Sequence, residues 1–149
     1  MRSIKNFNYR KILSSFLQQD GSAFFNAKGA ALGVFCGCFP FFGFQTLLGL
    51  FLAKVFKGNL FLAAIGTWIS NPFTYLPLYF FNYKVGAKLL RNYSDINFDK
   101  NLLINDLWKQ GSIFSLSLFL GSSLVGLFLA LISGGIVFLL YKRKRKRKI

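Results

Sequence analysis

The side chains able to do chemistry in this chain are few, and most of them are neutral. The chain contains no His and no Glu, and its four acidic residues are Asp20, Asp95, Asp99 and Asp106. A Ser-His-Asp hydrolase, a His-ligated metal and paired-glutamate chemistry are therefore excluded. Cys36 and Cys38 lack the number and spacing of a zinc site, so we predict small buried thiols. We expect no catalytic residue, no metal, no cofactor and no enzymatic activity.

Proline and glycine interrupt two of the apolar runs in the chain. Pro40 and Gly43 interrupt the first run, and Asn71-Pro72 interrupts the second. Asn is a favourable helix N-cap and Pro is favoured at the first helical position, so a new helix is expected to begin at Pro72. Pro77 is then expected to bend that helix. We interpret Pro40, Gly43, Pro72 and Pro77 as structural residues that break helices.

The polar side chains next to these two breaks are the candidates for binding. A helix that begins inside an apolar segment leaves backbone N–H groups without partners, and such discontinuous helices build ligand sites in transporters or form re-entrant hairpins. The residues predicted to contact a substrate or a lipid are Gln45, Thr46, Asn71, Thr74, Tyr75, Tyr79 and Tyr83. The alternative is that Asn71 and Thr74 only cap the exposed backbone.

Four of these candidates are spaced by four residues, from Asn71 through Tyr75 and Tyr79 to Tyr83. Residues with that spacing share one face of a helix. Three phenolic hydroxyl groups on one face suit either a cleft lined for lipid headgroups or a seam between two helices. The spacing alone leaves both interpretations open.

Composition and charge predict that the breaks lie in a membrane. The chain has 149 residues, of which 54% are hydrophobic, and 19 Lys and Arg give a net charge of +15. Residues 29–53, 58–83 and 110–141 carry no charge at all. Each stretch exceeds the roughly 18–20 apolar residues that cross a bilayer, where backbone groups must bond within helices. We predict an all-α integral membrane helical bundle with one or two proline-broken helices, which can be re-entrant.

The chain divides into three parts by charge. Residues 1–28 are basic and amphipathic, and we expect a helix in the headgroup layer, or else a solvated terminus. Residues 29–141 form the membrane domain, with apolar segments at about 29–56, 58–90 and 111–141 and a polar insert at 91–109. The last apolar segment is rich in Gly and Ser, which predicts a packing helix or a seam in an oligomer. Residues 142–149 form a polybasic tail.

The basic residues also predict the topology and the partners. The run Lys142–Lys148 suits a cytoplasmic anchor on anionic lipid headgroups, and it lacks the interleaved aromatic residues of a nucleic-acid tail. The basic N-terminal segment belongs on the same side by the positive-inside rule. Two cytoplasmic termini require an even number of crossings, so we predict that the Pro40–Gly43 segment is a re-entrant hairpin. A hairpin in the last segment is the alternative.

Three motifs resemble one bacterial family. They are Phe39–Thr46, Gly66–Tyr79 with its Asn-Pro-x-Thr-x-x-Pro-x-Tyr run, and Tyr83–Gly86. Together they resemble the family called domain of unknown function 2062, over about residues 23–140. The resemblance implies a small multi-pass protein of the bacterial inner membrane and supplies no reaction.

We therefore expect a small transport, channel or lipid-handling module that uses the two breaks. The alternative is a non-catalytic scaffold for an envelope-biogenesis enzyme. The expected partners are membrane lipids, with a homo-oligomer or an envelope enzyme as further candidates.

Overall fold

The computed structural model describes residues 21–41, 43–90 and 104–146, with the side chains of residues 111–144 in the last range. The described residues are helical and contain no strand, which confirms the predicted all-α class. The helices are α1 (Ala23–Gly37), α2 (Phe44–Val55), α3 (Leu60–Gly66), α4 (Tyr75–Leu89) and α5 (Ile104–Lys146). A 3-10 turn at Thr67–Ile69 extends α3.

The long helix α5 is the support on which the other helices pack. Its 43 residues make a rod about 64 Å long. Gly134 lies against Ala31 of α1, and Gly126 lies against Cys38 just beyond the end of α1. Gly121 lies directly on the backbone of Asn82 in α4. Helices α1 and α4 therefore run antiparallel to α5 and follow one another along it.

Helices α1 and α2 form an antiparallel hairpin, and α3 then runs parallel to α1. Asn59, just before α3, donates its backbone N–H to the Phe25 carbonyl near the start of α1. Residues spaced by four along α1 meet residues spaced by four along α3, in the pairs Gly29–Asn59, Gly33–Ala63 and Gly37–Thr67. The glycines have no Cβ, so the two backbones touch, as is usual where helices pack in lipid.

Helices α1 and α5 extend across the limits of the segments defined by charge. Helix α1 begins at Ala23, inside the predicted N-terminal segment, because the Ser22 hydroxyl caps it by accepting from the Phe25 N–H (3.1 Å). Residues 104–109 of the predicted polar insert and residues 142–146 of the predicted tail are helical parts of α5. The predictions for residues 1–20, 91–103 and 147–149 lie outside the described residues.

The second break also differs in detail. Helix α4 begins at Tyr75 rather than at Pro72, because residues 72–74 first form a turn around the Asn71 side chain. Pro77 consequently falls in the first turn of α4. The N–H groups of a first turn have no partner within the helix, so a proline there removes no hydrogen bond.

Burial in this protein is inverted relative to that of a water-soluble domain. The largest fully buried side chains are Asn26, Asn82, Thr67, Cys36, Cys38, Ser117 and Ser122. Large apolar side chains lie on the outside, with Phe73 at 92%, Trp68 at 74% and Phe44 at 73% exposure. Water-soluble proteins bury Phe and Leu and rarely expose large contiguous apolar patches.

One helix among the described residues, Gly111–Lys144, is long and apolar enough to cross a membrane, with a mean hydropathy of 2.5. Only 17% of its most apolar window is buried within the protein, whereas the core helix of a soluble domain is mostly covered. Helix α2 and the α3 segment to Ile69 are apolar but shorter. Length and composition thus support membrane association through α5.

The contact between α4 and α5 predicts a specific effect of a single methyl group. A Cβ at Gly86 would collide with the Ser117 backbone, whereas a Cβ at Gly111 would meet open space. We expect Gly86→Ala to lower the free energy of unfolding by about 1–3 kcal/mol. Gly111→Ala should leave stability unchanged or raise it, because Ala favours helix by about 1 kcal/mol over Gly. Denaturation of the purified protein in detergent, followed by tryptophan fluorescence, measures both. Equal effects of the two substitutions would contradict this packing.

Candidate functional site

The two helix breaks meet at one level of the bundle. Thr46, in the first turn of α2, lies 3.0 Å from Thr67, at the end of α3, between the two Oγ1 atoms. Thr67 is fully buried and donates its hydroxyl proton to the Ala64 carbonyl (2.6 Å). Since a hydroxyl has one proton, Thr46 is the donor of the bond between the two threonines.

Side chains of α4 satisfy the backbone at the end of α1. The Tyr79 hydroxyl donates to the Phe39 carbonyl (3.1 Å), and Asn82 Nδ2 donates to the Cys38 carbonyl (2.9 Å). Asn82 Nδ2 also donates to Ser122 Oγ on α5 (3.0 Å). The carbonyls at the end of a helix have no partner within it, and α4 supplies a side-chain donor to that of the C-cap residue Cys38. The Phe39 carbonyl also accepts from the Phe41 N–H (2.8 Å), so Tyr79 is its second donor.

The hydrogen bonds at the second break, Asn71-Pro72, are made within the break itself. Asn71 Oδ1 accepts from the N–H groups of Phe73 (2.9 Å) and Thr74 (3.1 Å). Thr74 Oγ1 donates to the Ile69 carbonyl (2.6 Å) and accepts from the Asn71 N–H (3.0 Å). Asn71 and Thr74 therefore cap the exposed backbone, which is the alternative that the sequence left open for them.

The tyrosines of the predicted stripe contact different neighbours. The Tyr75 ring lies 6.2 Å from the Tyr79 ring, and the Tyr83 ring lies 4.8 Å from the ring of Phe114 on α5, between centroids. Together with the bond from Tyr79 to Phe39, these contacts place the stripe along a seam between helices. The contacts of Tyr79 and Tyr83 match the seam interpretation.

Aromatic rings hold the tip of the hairpin against α5. Pro40 lies in the connection between α1 and α2, and Gly43 enters α2 at a φ of 82°, a left-handed conformation that favours glycine. The rings of Phe39 and Phe41 lie 5.2 and 5.7 Å from the ring of Phe119. The loop is therefore packed on the long helix. Cys36 and Cys38, just before it, are free thiols and fully buried, as predicted.

Two buried amide oxygens near the breaks, Gln45 Oε1 and Asn82 Oδ1, have no hydrogen-bond partner among the described residues. The side chain of Ser70, at the second break, is paired with that of Tyr79. An amide oxygen can only accept a hydrogen bond. A buried polar atom without a partner costs about 1–3 kcal/mol. Each of these oxygens therefore retains unused acceptor capacity beneath the protein surface.

Sequence reasoning missed the buried asparagines. Asn82 joins three helices, and Asn59 donates to Asn26 Oδ1 (2.7 Å) while its own Oδ1 caps α3 through the N–H groups of Phe61 and Leu62. Asn59 carried a usable signal, because it directly precedes an apolar run, where an N-cap is expected. The sequence signal for Asn82 is weaker: Asn82 follows Tyr79 by three residues and therefore lies on the same helix face.

Comparison with known proteins assigns the family. The profile described as an uncharacterized protein conserved in bacteria, domain of unknown function 2062, matches residues 8–149. The chain belongs to this family. The match spans every described helix and both breaks, and it confirms the resemblance of the three motifs. No curated protein and no solved structure matches the chain.

The hydrogen bond from the Tyr79 hydroxyl to the Phe39 carbonyl can be tested by substitution. Tyr79→Phe removes one of two donors to the Phe39 carbonyl, which keeps the Phe41 N–H (2.8 Å), so we expect the free energy of unfolding to fall by about 0.5–1.5 kcal/mol. Tyr83→Phe removes the same atom from a residue whose described contact is through its ring, and it should have a much smaller effect. Denaturation in detergent compares the two variants. Equal stability of both would show that the Tyr79 bond does not hold the helix end.

Proposed function

We propose that this protein is a lipid-handling module of the bacterial inner membrane. In this proposal the paired breaks offer hydrogen-bond acceptors to the polar part of a lipid at the centre of the bilayer. The observation that carries the proposal is the pair of unpartnered buried amide oxygens at the breaks, Gln45 Oε1 and Asn82 Oδ1.

The depth of the breaks follows from the lysines on either side. Lys28 precedes Phe39 by about 17 Å along the helix axis, and Lys88 follows Tyr79 by about 13 Å, at about 1.5 Å per residue. Phe39 and Tyr79 are hydrogen-bonded to each other and so lie at the same level, which means that the two lengths can be added. Together they make about 30 Å, the thickness of the hydrocarbon core. The breaks then lie near its middle.

Lys84 lies inside this layer, one turn nearer to the breaks than Lys88. Its ammonium lies 4.5 Å from the centroid of the Phe80 ring. A cation over an aromatic face is attracted by the ring, which offsets part of the cost of leaving water. The position of Lys84 is therefore compatible with breaks that lie near the middle of the hydrocarbon core.

The order of the helices supports two crossings and one re-entrant hairpin. Helices α3 and α4 lead from the Lys57 end of the bundle to the Lys88 end, and α5 returns, whereas α1 and α2 enter and leave at the same end. Both termini then lie on one side of the membrane. That side carries 14 of the 19 Lys and Arg residues by their position in the chain. The positive-inside rule makes it the cytoplasmic side.

The chemistry near the breaks favours a lipid over an ion. No Asp, Glu or His occurs between residues 21 and 94, so this part of the chain offers no carboxylate or imidazole for proton or cation coupling. The breaks also lie among exposed aromatic residues, Phe44, Trp68 and Phe73. In a membrane these side chains face lipid, so a lipid can approach the breaks from the side.

A scaffold for an envelope-biogenesis enzyme, or a homo-oligomer, is the second candidate. It is favoured by the exposed face of α5, where Leu131 and Phe128 are 68% and 64% exposed. Such a scaffold has no use for acceptor atoms at the breaks, so substitutions there would leave its function unchanged.

The topology predicts which positions are reached from which side. In a Cys36→Ala, Cys38→Ala background, Lys57→Cys and Lys88→Cys should react with a membrane-impermeant maleimide from opposite sides. Inverted and right-side-out vesicles make the two sides available in turn, and the background protein without a new cysteine is the control. Reaction of both positions from the same side would refute the two-crossing arrangement.

If the protein moves lipids through the breaks, the rate of movement should depend on the lipid headgroup. The acceptor atoms should favour phosphatidylethanolamine, which has N–H donors, over phosphatidylcholine, which has none. We expect reconstituted protein to move an acyl-labelled phosphatidylethanolamine between leaflets, measured by reduction of the label with dithionite. Gln45→Leu should slow this by up to about tenfold, the effect of one hydrogen bond.

Leu52→Met on the same helix is the matched control, because this swap conserves volume. Circular dichroism checks that both variants are folded. An equal rate for the two lipids together with an unaffected Gln45→Leu variant would reject lipid handling at the breaks and favour the scaffold.

A further inference from the structure

A groove lies between α1 and α5, away from the breaks and at the Lys28 end of the bundle. Its volume is about 350 Å³, within the range of about 300–1,000 Å³ found for small-molecule sites. Small residues form its floor, among them Ala27, Ala31 and Gly134, and Phe24 and Phe138 form two of its walls. From Phe138 to Ala130 the groove extends about 12 Å along α5.

A lysine ammonium lies near each of the two aromatic rings. Lys28 lines the groove, and its ammonium lies 5.1 Å from the centroid of the Phe24 ring. Lys142 lies one helical turn beyond Phe138, outside the lining, and its ammonium lies 5.8 Å from the centroid of the Phe138 ring. Lys28 donates one hydrogen bond, to the Phe56 carbonyl (2.7 Å). An ammonium has three donors, so Lys28 retains capacity for an anion. No acidic side chain occurs among the described side chains to neutralise either cation.

We propose that this groove binds one anionic glycerophospholipid. One acyl chain lies along the small residues of the floor, and the phosphate lies between the ammonium groups of Lys28 and Lys142. The groove is charged at one end and apolar along the rest, which is the charge distribution of such a lipid. The proposal requires that the chain lies in a membrane, but it does not require lipid handling at the breaks.

Charge argues against a second copy of the chain as the occupant. A symmetric dimer through this groove would bring the Lys28 and Lys142 ammonium groups of both copies into one interface. Like charges facing one another across an interface are strongly unfavourable. An anionic phosphate in the same place is attracted by both cations.

The first test measures the headgroup. Native mass spectrometry of the detergent-solubilised protein should show bound phosphatidylglycerol in preference to phosphatidylcholine. Lys28→Gln combined with Lys142→Gln should weaken binding of phosphatidylglycerol about thirtyfold, given the contribution of two lysines near an anionic lipid. The control pair is Lys54→Gln with Lys88→Gln, which are exposed residues away from the groove. Equal binding of both lipids, or equal loss in both double variants, would overturn the proposal.

The second test fills the groove. Gly135 lines it, and a Cβ at this position meets open space, so Gly135→Leu occupies the groove without a clash. We expect it to reduce binding of phosphatidylglycerol at least tenfold, whereas Gly111→Leu, also at an open position of α5, should not. Unchanged binding in Gly135→Leu would refute the site. A change from dimer to monomer in the same spectra would show that a second copy occupies the groove.

Inorganic phosphate separates the headgroup from the chain. Because the acyl chain is bound by the groove, phosphate alone should compete only weakly with the phospholipid. Competition at equal concentration would reduce the site to a pair of surface charges and overturn the proposal. Lipid binding in this groove is measured in detergent, whereas lipid movement at the breaks is measured in reconstituted membranes. Binding can therefore be observed even when lipid movement is absent, so the failure of one proposal does not imply the failure of the other.

Discussion

Main-chain carbonyls at and beyond the end of α1 find side-chain donors on another helix, because a buried main-chain group needs a partner wherever water does not reach it. The carbonyls of Cys38 and Phe39 are bonded by Asn82 and Tyr79, which belong to a helix more than 35 residues further along the chain. This requirement places α4 against the end of α1. It also brings Ser122 of α5 against Asn82. The arrangement of the described helices thus follows from satisfying a few main-chain atoms at one depth.

Close approach of the helices is the condition for that arrangement. Short polar side chains can bridge two helices only when the backbones nearly touch. The glycines at positions 29, 33 and 37 bring α1 against α3, and Gly86 and Gly121 bring α4 against α5. The described interior is therefore rich in Gly, Ala, Ser, Thr, Cys and Asn, with a few larger side chains such as Leu62, while most Phe and Leu side chains cover the outside. Such packing gains little from the hydrophobic effect in lipid and depends on van der Waals contact and hydrogen bonds. The same small residues leave the groove beside Lys28, where the contact between α1 and α5 is incomplete.

The amino-acid sequence predicts a large part of this structure, since charge-free length, proline and glycine are local signals. It indicates the all-α class, and it leaves capping as one of two interpretations of Asn71, whose side chain accepts from the Phe73 N–H. It could not predict that Tyr79 and Asn82 bond the end of α1, because this depends on which helices become neighbours. The start of α4 was placed three residues early, at Pro72, since the preference of Pro for a first helical turn does not reveal that Asn71 forms a turn first. Nothing local in the sequence distinguishes the unpartnered Gln45 from the paired Thr46 beside it.

The central claim is that the two breaks lie near the middle of the bilayer, and a depth measurement tests it most directly. A spin label at Phe44, an exposed position at the first break, can be compared with labels at Lys28 and Lys88 in reconstituted membranes, with both native cysteines replaced by alanine. Relaxation by oxygen, which partitions into lipid, and by a water-soluble nickel complex gives the depth of each label. The account predicts a label at Phe44 about 15 Å below the headgroups and labels at Lys28 and Lys88 near opposite surfaces. A label at Phe44 that is as accessible to the nickel complex as the label at Lys88 would contradict it.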